Sequence, residues 1–105
     1  MNTNDLLNEL KRNEINEKAC LVLPSHRVEG ALCLTCEGDG RWLVLLVERG
    51  DSVVENYFDD QDPACRFFLR RVISDPTYFK DFSMANLEAI RERSDKLLSE
   101  YGFEA

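Results

Sequence analysis

Cys33 and Cys36 form the one pair in this sequence with metal-like or redox-like spacing, in the run CLTC at 33–36. Two thiols so placed can supply half of a tetrahedral zinc site. The other ligands would have to come from Cys20, Cys65 or the lone His26, none of which forms a second matching pair. A redox CxxC draws its depressed thiol pKa from a helix N-terminus. Here the flanking run 31–37, ALCLTCE, reads as a strand, on which positions three apart point to opposite faces. The cysteines are therefore expected as small apolar fillers of core and sheet. His26 follows Ser25 in a polar stretch, but nucleophilic catalysis needs a base oriented by a third group, and no such pattern is present. It is expected as an exposed loop residue. Arg49-Gly50-Asp51 spells an adhesion tripeptide, yet Gly-Asp after a strand is ordinary turn chemistry. The sequence has no Gly-rich phosphate loop, HExxH or GxSxG. No enzymatic activity, cofactor or metal is expected.

Charge is more informative than any motif. The 105 residues carry 20 acidic and 13 basic side chains, a formal charge of −7. Glu37, Asp39, Glu48, Asp51, Glu55, Asp59, Asp60 and Asp62 lie in one window with only Arg41 and Arg49, so that window alone carries −6. Phosphate backbones are bound by cationic side chains that release counter-ions, so this balance points away from nucleic acid and towards a basic protein partner. One explanation is a solvated face, with three carboxylates favouring the positive end of a helix. The other is a docking surface that attracts a cationic partner within a Debye length of about 8 Å, while apolar anchors prolong the complex. Glu37, Asp39, Asp51, Glu55, Asp59, Asp60 and Asp62 are the candidate partner-binding carboxylates, with Tyr57 packing among them. Trp42 is either a second aromatic anchor or part of the core.

The elements that must position these residues follow from periodicity. Residues 4–13 (NDLLNELKRN) place Leu6, Leu7 and Leu10 at helical spacing, with Thr3 or Asn4 as N-cap. Residues 19–23 (ACLVL) read as a strand stopped by Pro24. The runs 31–37 and 41–48 (RWLVLLVE) flank Gly38-Asp39-Gly40 and predict a hairpin. Six apolar residues from Trp42 to Val47 predict a strand central in the sheet. A further strand, 52–58 (SVVENYF), puts Val54 and Phe58 on one face and Val53, Glu55 and Tyr57 on the other, by strict alternation. Asp59, Asp60 and Asp62 before and at the start of PACRFFLRRVIS supply the N-cap of a helix, and Pro63 fits its first turn. Ala64, Phe67, Phe68, Val72 and, slightly off-stripe, Leu69 form its apolar face, with Arg66, Arg70 and Arg71 towards solvent. That helix ends near Asp75-Pro76, where proline removes its predecessor from helical dihedrals. The connector 77–82, with Tyr78, Phe79 and Phe82, caps the core. A last helix over 84–101 aligns Leu87, Ile90, Leu97, Leu98 and Tyr101, with Ser94 interrupting the stripe and Gly102 at C′.

The order α-β-β-β-β-α-α, with short turns and no βαβ crossover, predicts one α+β domain over 1–105. An antiparallel sheet of about four strands would be packed by two C-terminal helices. No stretch approaches the roughly 20 apolar residues that span a bilayer. The polar start MNTNDLLNELKRNEINEKAC lacks the apolar run of an export signal, so the expectation is a cytoplasmic protein, off the membrane, with reduced cysteines.

From Trp42 to Val72 the runs WLVLLVERG and DDQDPACRFFLRRV, joined by a strand ending at Phe58, resemble small immunity proteins of bacterial contact-dependent growth inhibition and related polymorphic toxin systems. The first helix is compatible, and the resemblance covers about three-quarters of the chain. The positions that match, Glu48, Arg49, Gly50, Phe58, Ala64, Cys65 and Phe68, have an architectural character. The resemblance implies a cytoplasmic binding protein. It would neutralise, one to one, the C-terminal toxin domain of a large exported effector, commonly a nuclease and often one directed against tRNA. Two other functions stay open. A small acidic secretion or folding chaperone would hold an extended cargo segment in an apolar groove, and a thiol redox or zinc protein would use Cys33 and Cys36. Homodimerisation through an edge strand also stays open.

Overall fold

The computed structural model describes residues 1–103 as an α+β fold in which helices and a four-stranded sheet share one main core. The elements are α1 (Thr3–Arg12), β1 (Cys20–Val22), β2 (Leu32–Cys36), β3 (Trp42–Glu48), β4 (Asp51–Phe58), α2 (Gln61–Ile73) and α3 (Leu87–Tyr101). Two 3₁₀ turns, Pro76–Tyr78 and Met84–Asn86, join the last two helices. No helix among the described residues is long and apolar enough to cross a membrane.

The sheet order is β1-β2-β3-β4, so the apolar β3 is internal, as its six-residue apolar run predicts. β2 and β3 are antiparallel, with Cys36 opposite Trp42, and their loop closes on Gly40 in the left-handed region (φ 87°). The β3–β4 turn uses two left-handed residues, Arg49 (φ 53°) and Gly50 (φ 79°), the backbone of a two-residue type I′ hairpin. Glu29 braces this turn by accepting from both N–H groups, at 3.0 Å for Gly50.

The sheet differs from the antiparallel expectation at β1, which pairs with β2 in parallel. Residues 23–31 make the crossover. Leu23 turns left-handed (φ 49°) before Pro24, and the chain returns to start β2 beside the end of β3, where the Gly30 N–H donates to the Val47 carbonyl (2.8 Å). Strand direction is set by where the crossover carries the chain, which the apolar run 19–23 does not encode.

A second departure lies in β4. Asn56 pairs with Val44 and Val54 with Leu45, leaving Glu55 as the extra residue of a β-bulge. The bulge shifts the phase of alternation. Val53, Asn56 and Phe58 take the side of Leu46, Val44 and Trp42, while Ser52, Val54 and Tyr57 take the side of Val47, Leu45 and Leu43. Strict alternation, with Val54 beside Phe58 and Val53 beside Tyr57, is thereby corrected.

The helices cover only one face. The main core joins Leu6 and Leu10 of α1, Ala64, Cys65, Phe68, Leu69, Val72 and Ile73 of α2, and Ile90 of α3 to Leu32, Leu34 and Val44 of the sheet. Cys65 and Ile73 join the apolar face expected of α2, and Phe67 sits at its margin, 5.4 Å from the Phe58 ring. Asn2, one residue before the expected cap, is the N-cap of α1. Its side chain accepts from the Asp5 N–H (2.8 Å) and its own N–H reaches the Asp5 carboxylate (3.2 Å), completing a capping box.

Ser94 does not break the α3 stripe. It is buried, and its hydroxyl donates to the Ile73 carbonyl, one of the acceptors left without an intrahelical partner at the end of α2. Ser94→Ala should therefore destabilise the fold by about 1–3 kcal/mol through an orphaned buried acceptor, read as a lowered urea midpoint with an unchanged m-value. Ser94→Cys, which keeps a weak donor, should recover part of the loss.

Candidate functional site

The structure divides the acidic window. Because β3 and β4 form a hairpin, Glu48 and Asp51 face each other at one end of the sheet, beside Glu29 at the turn. Glu37 and Asp39 in the β2–β3 loop, and Asp59 and Asp60 after Phe58, extend from the opposite end, where Cys36, Trp42 and Phe58 align. The Trp42 and Glu48 rows are separated by the length of β3, about 20 Å at roughly 3.3 Å per residue. A charge run contiguous in sequence thus becomes two acidic poles.

Some carboxylates are neutralised within the molecule. Glu55 leaves the bulge towards α2 and accepts two bonds from the Arg71 guanidinium, at 2.8 and 3.2 Å. Arg71, expected in solvent, is half-buried, lies over the Tyr78 ring and has its pKa raised chiefly by the Glu55 bond. Asp62 accepts from the Met1 ammonium and from Arg66 (2.9 Å), and these bonds, the ammonium first, hold its carboxyl below the ordinary value of 3.8. Asp39 accepts from the Arg41 N–H (3.0 Å), with the Arg41 guanidinium 3.7 Å away. Asp60 occupies the N-cap position of α2, but its side chain makes no capping bond. Among the described residues Glu37, Glu48, Asp51, Asp59 and Asp60 make no ion pair.

The sign of the Asp62 effect gives a pH prediction. A carboxyl whose folded pKa is depressed contributes stability above its unfolded value, and that contribution disappears as pH falls from 3.8 through the lower folded value. Wild type should therefore be more stable than Asp62→Asn at neutral pH. The gap between their melting temperatures should close in that acidic window.

Glu48 and Asp51, in phase with Leu46 and Val53, lie on the helix side of the sheet, and the opposite face is the one the helices leave uncovered. Its buried cluster, Ala31, Cys33, Leu45 and Val47, packs with Leu21 and Leu43 and draws no residue from any helix. Towards β4 this face is open to solvent: Val54 is 49% and Tyr57 61% exposed. Arg41 lies 5.6 Å from the Tyr57 ring centroid, a cation–π contact that holds the aromatic at the rim. Trp42 points to the other side and is half-buried against the main core.

The free edge of β4 is guarded. The Tyr57 N–H, directed outward, is bonded by the Asn56 side chain (2.8 Å), and the Glu55 bulge distorts the strand beside it. Both devices oppose strand addition and hence dimerisation through this edge. The opposite edge, β1, is three residues long and followed by Pro24. It borders an apolar groove of about 380 Å³ against α1, lined chiefly by Leu7, Leu10, Ile15, Leu21, Val22 and Pro24.

Cys33 is buried on the open face, whereas Cys36 is exposed in the row of Trp42 and Phe58, so the pair does not converge on one metal or one disulfide. Burial pushes the Cys20 thiol up to about 12 and raises those of Cys33 and Cys65. The described residues hold no cluster of three or more His, Cys, Asp or Glu placed for a metal ion. His26 is exposed, its Nδ1 3.2 Å from the Ser25 hydroxyl. Compared with protein-family models, curated proteins and solved structures, the chain matches none of them.

Glu29 was not among the expected site residues, because its role depends on a turn 20 residues away. Val54 was missed as a neighbour of Tyr57 for the same kind of reason: only the bulge brings it to the face of Tyr57.

Proposed function

We propose that this protein is an immunity protein. It binds a folded toxin domain in the cytoplasm and neutralises it one to one, the target being a nuclease that carries the basic side chains needed to hold phosphates. The observation that supports this most is the pair of carboxylate groups at the two ends of the β3–β4 hairpin, of which Glu37, Glu48, Asp51, Asp59 and Asp60 make no ion pair among the described residues. A nuclease cleft lined with Lys and Arg is built for phosphate, and a rigid array of carboxylates can occupy the same field. The protein performs no chemistry in this function and needs no cofactor. Immunity genes usually follow the gene of their toxin, so co-expression with the C-terminal domain of the protein encoded immediately upstream tests it: growth should be restored in proportion to the amount of this protein. A domain that is not toxic, or toxicity that persists in its presence, would contradict it.

The groove between α1 and β1 favours a second function, that of a chaperone. Aliphatic walls beside a free strand edge suit an extended apolar segment. Such a protein would bind unfolded cargo segments and leave a folded toxin domain untouched.

A further inference from the structure

We infer that an extended apolar segment of a partner polypeptide adds to the free edge of β1 as a further strand, with its side chains in the groove between β1 and α1. This rests on the chaperone function and specifies the site that performs it. The main-chain bonds show which groups are free. The Ala19 carbonyl accepts from the Leu32 N–H and the Leu23 N–H donates to the Leu34 carbonyl, both at 2.8 Å, so these two residues turn towards β2. Cys20 and Val22 alternate with them and turn their main-chain groups outward. The Cys20 N–H is taken by the Asn16 carbonyl (3.2 Å), which leaves the Val22 N–H and the carbonyls of Cys20 and Val22 without partners among the described residues. Unlike β4, this edge carries no bulge, no charge and no side-chain bond to its main chain.

The donors and acceptors choose the occupant. The edge offers one donor and two acceptors, so its complement is a strand edge that presents two N–H groups and one carbonyl. A second copy of this chain brings one donor and two acceptors again. However the two edges are aligned, carbonyls stay unpaired, and a charge of −7 meets another of −7. A helix laid in the groove spends its own N–H groups internally and would leave all three groups of the edge unmet. What fits is an extended segment without proline at its two donating positions. Cys20 and Val22 share the helix side of the sheet with Leu32 and Leu34, and the groove opens on that side between Val22, Ile15 and Leu7, which is 49% exposed. A bound segment with apolar residues at alternate positions would lay them there, while its main-chain bonds read no side chain and admit many sequences.

The test scans the full chain by fluorescence anisotropy against overlapping peptides from the C-terminal domain of the protein encoded immediately upstream, each about 12 residues and so longer than a usual strand. The tightest binder is then measured on wild type, on Leu7→Asp and, as a control on the far side of the sheet, on Tyr57→Ala. Leu7 and Tyr57 are exposed, so both variants should melt as wild type does. Leu7→Asp should weaken binding by about 10-fold or more, and Tyr57→Ala should leave it within about twofold. N-methylation of the peptide at alternate residues removes its donors in one phase only. One methylated series should therefore bind about 10-fold or more weakly, and the other close to the parent. The Val22 amide should exchange its hydrogen more slowly in the complex. A peptide bound equally by Leu7→Asp, indifferent to the phase of methylation and without protection of Val22, overturns this site and leaves the chaperone function standing. No binding by any peptide overturns both.

Discussion

Phe68→Ala should remove about 3–5 kcal/mol of stability, the cost of deleting a buried phenyl ring and leaving its cavity. Phe68 is fully buried, on the face of α2 that meets the sheet and the other helices. Domains of this size are held by roughly 5–15 kcal/mol in total, so the variant should be partly unfolded at 37 °C. Its neighbours cannot close the gap, because Leu69, Val72 and Ile90 are packed from α2 and α3 against the same core and are fully buried themselves. Phe68→Leu, which keeps most of the volume, should lose much less. Thermal melts of the three proteins, followed by near-UV circular dichroism, check the order. A Phe68→Ala protein melting within a few degrees of wild type would mean that the helices do not pack on the sheet as described.

The second large effect concerns the poles. Glu37→Lys, Asp51→Lys and Asp59→Lys together should slow association with the toxin domain by about 10- to 100-fold at low salt, while dissociation changes little. These carboxylates are chosen because none makes an ion pair among the described residues, whereas Glu55 and Asp62 are engaged with Arg71 and the Met1 ammonium. Reversing Glu55 would disturb the fold as well as the field, and its effect could not be assigned. The triple variant should also lose the steep salt dependence of the association rate, since the steering field responsible for it is gone. Stopped-flow mixing at two ionic strengths reads both. An unchanged rate and slope would remove the acidic surface from the interaction.

Much of the fold can be read locally. Gly38-Asp39-Gly40 between two apolar runs, the unbroken apolar run of β3 and the Asp-Pro start of α2 each carry their structural meaning within a few residues. What cannot be read is whatever depends on a distant partner. The direction of β1 is decided by the crossover 23–31, and Ser94 looks like a flaw in its helix until the Ile73 carbonyl is found beneath it. The Glu55 bulge has no glycine to announce it; Arg71, one helix later, holds the carboxylate that leaves the strand there.

The candidate site was legible in composition and not in shape. Its carboxylates and Tyr57 stand out in the sequence, but the hairpin separates Asp51 from Asp59 by most of the length of the sheet. Three of the expected contacts, Asp39, Glu55 and Asp62, turn out to serve internal bonds. That Val54 and Tyr57 share a side of β4 depends on a register shift that periodicity alone assigns the other way.

The most direct measurement is a titration of the upstream-encoded domain's nuclease activity with this purified protein, coupled to native mass determination of the product. Immunity predicts a linear fall in activity to an end point at one equivalent, with a one-to-one complex of two folded proteins. Activity that survives an excess, or binding confined to unfolded segments of that domain in the groove of α1 and β1, would contradict it.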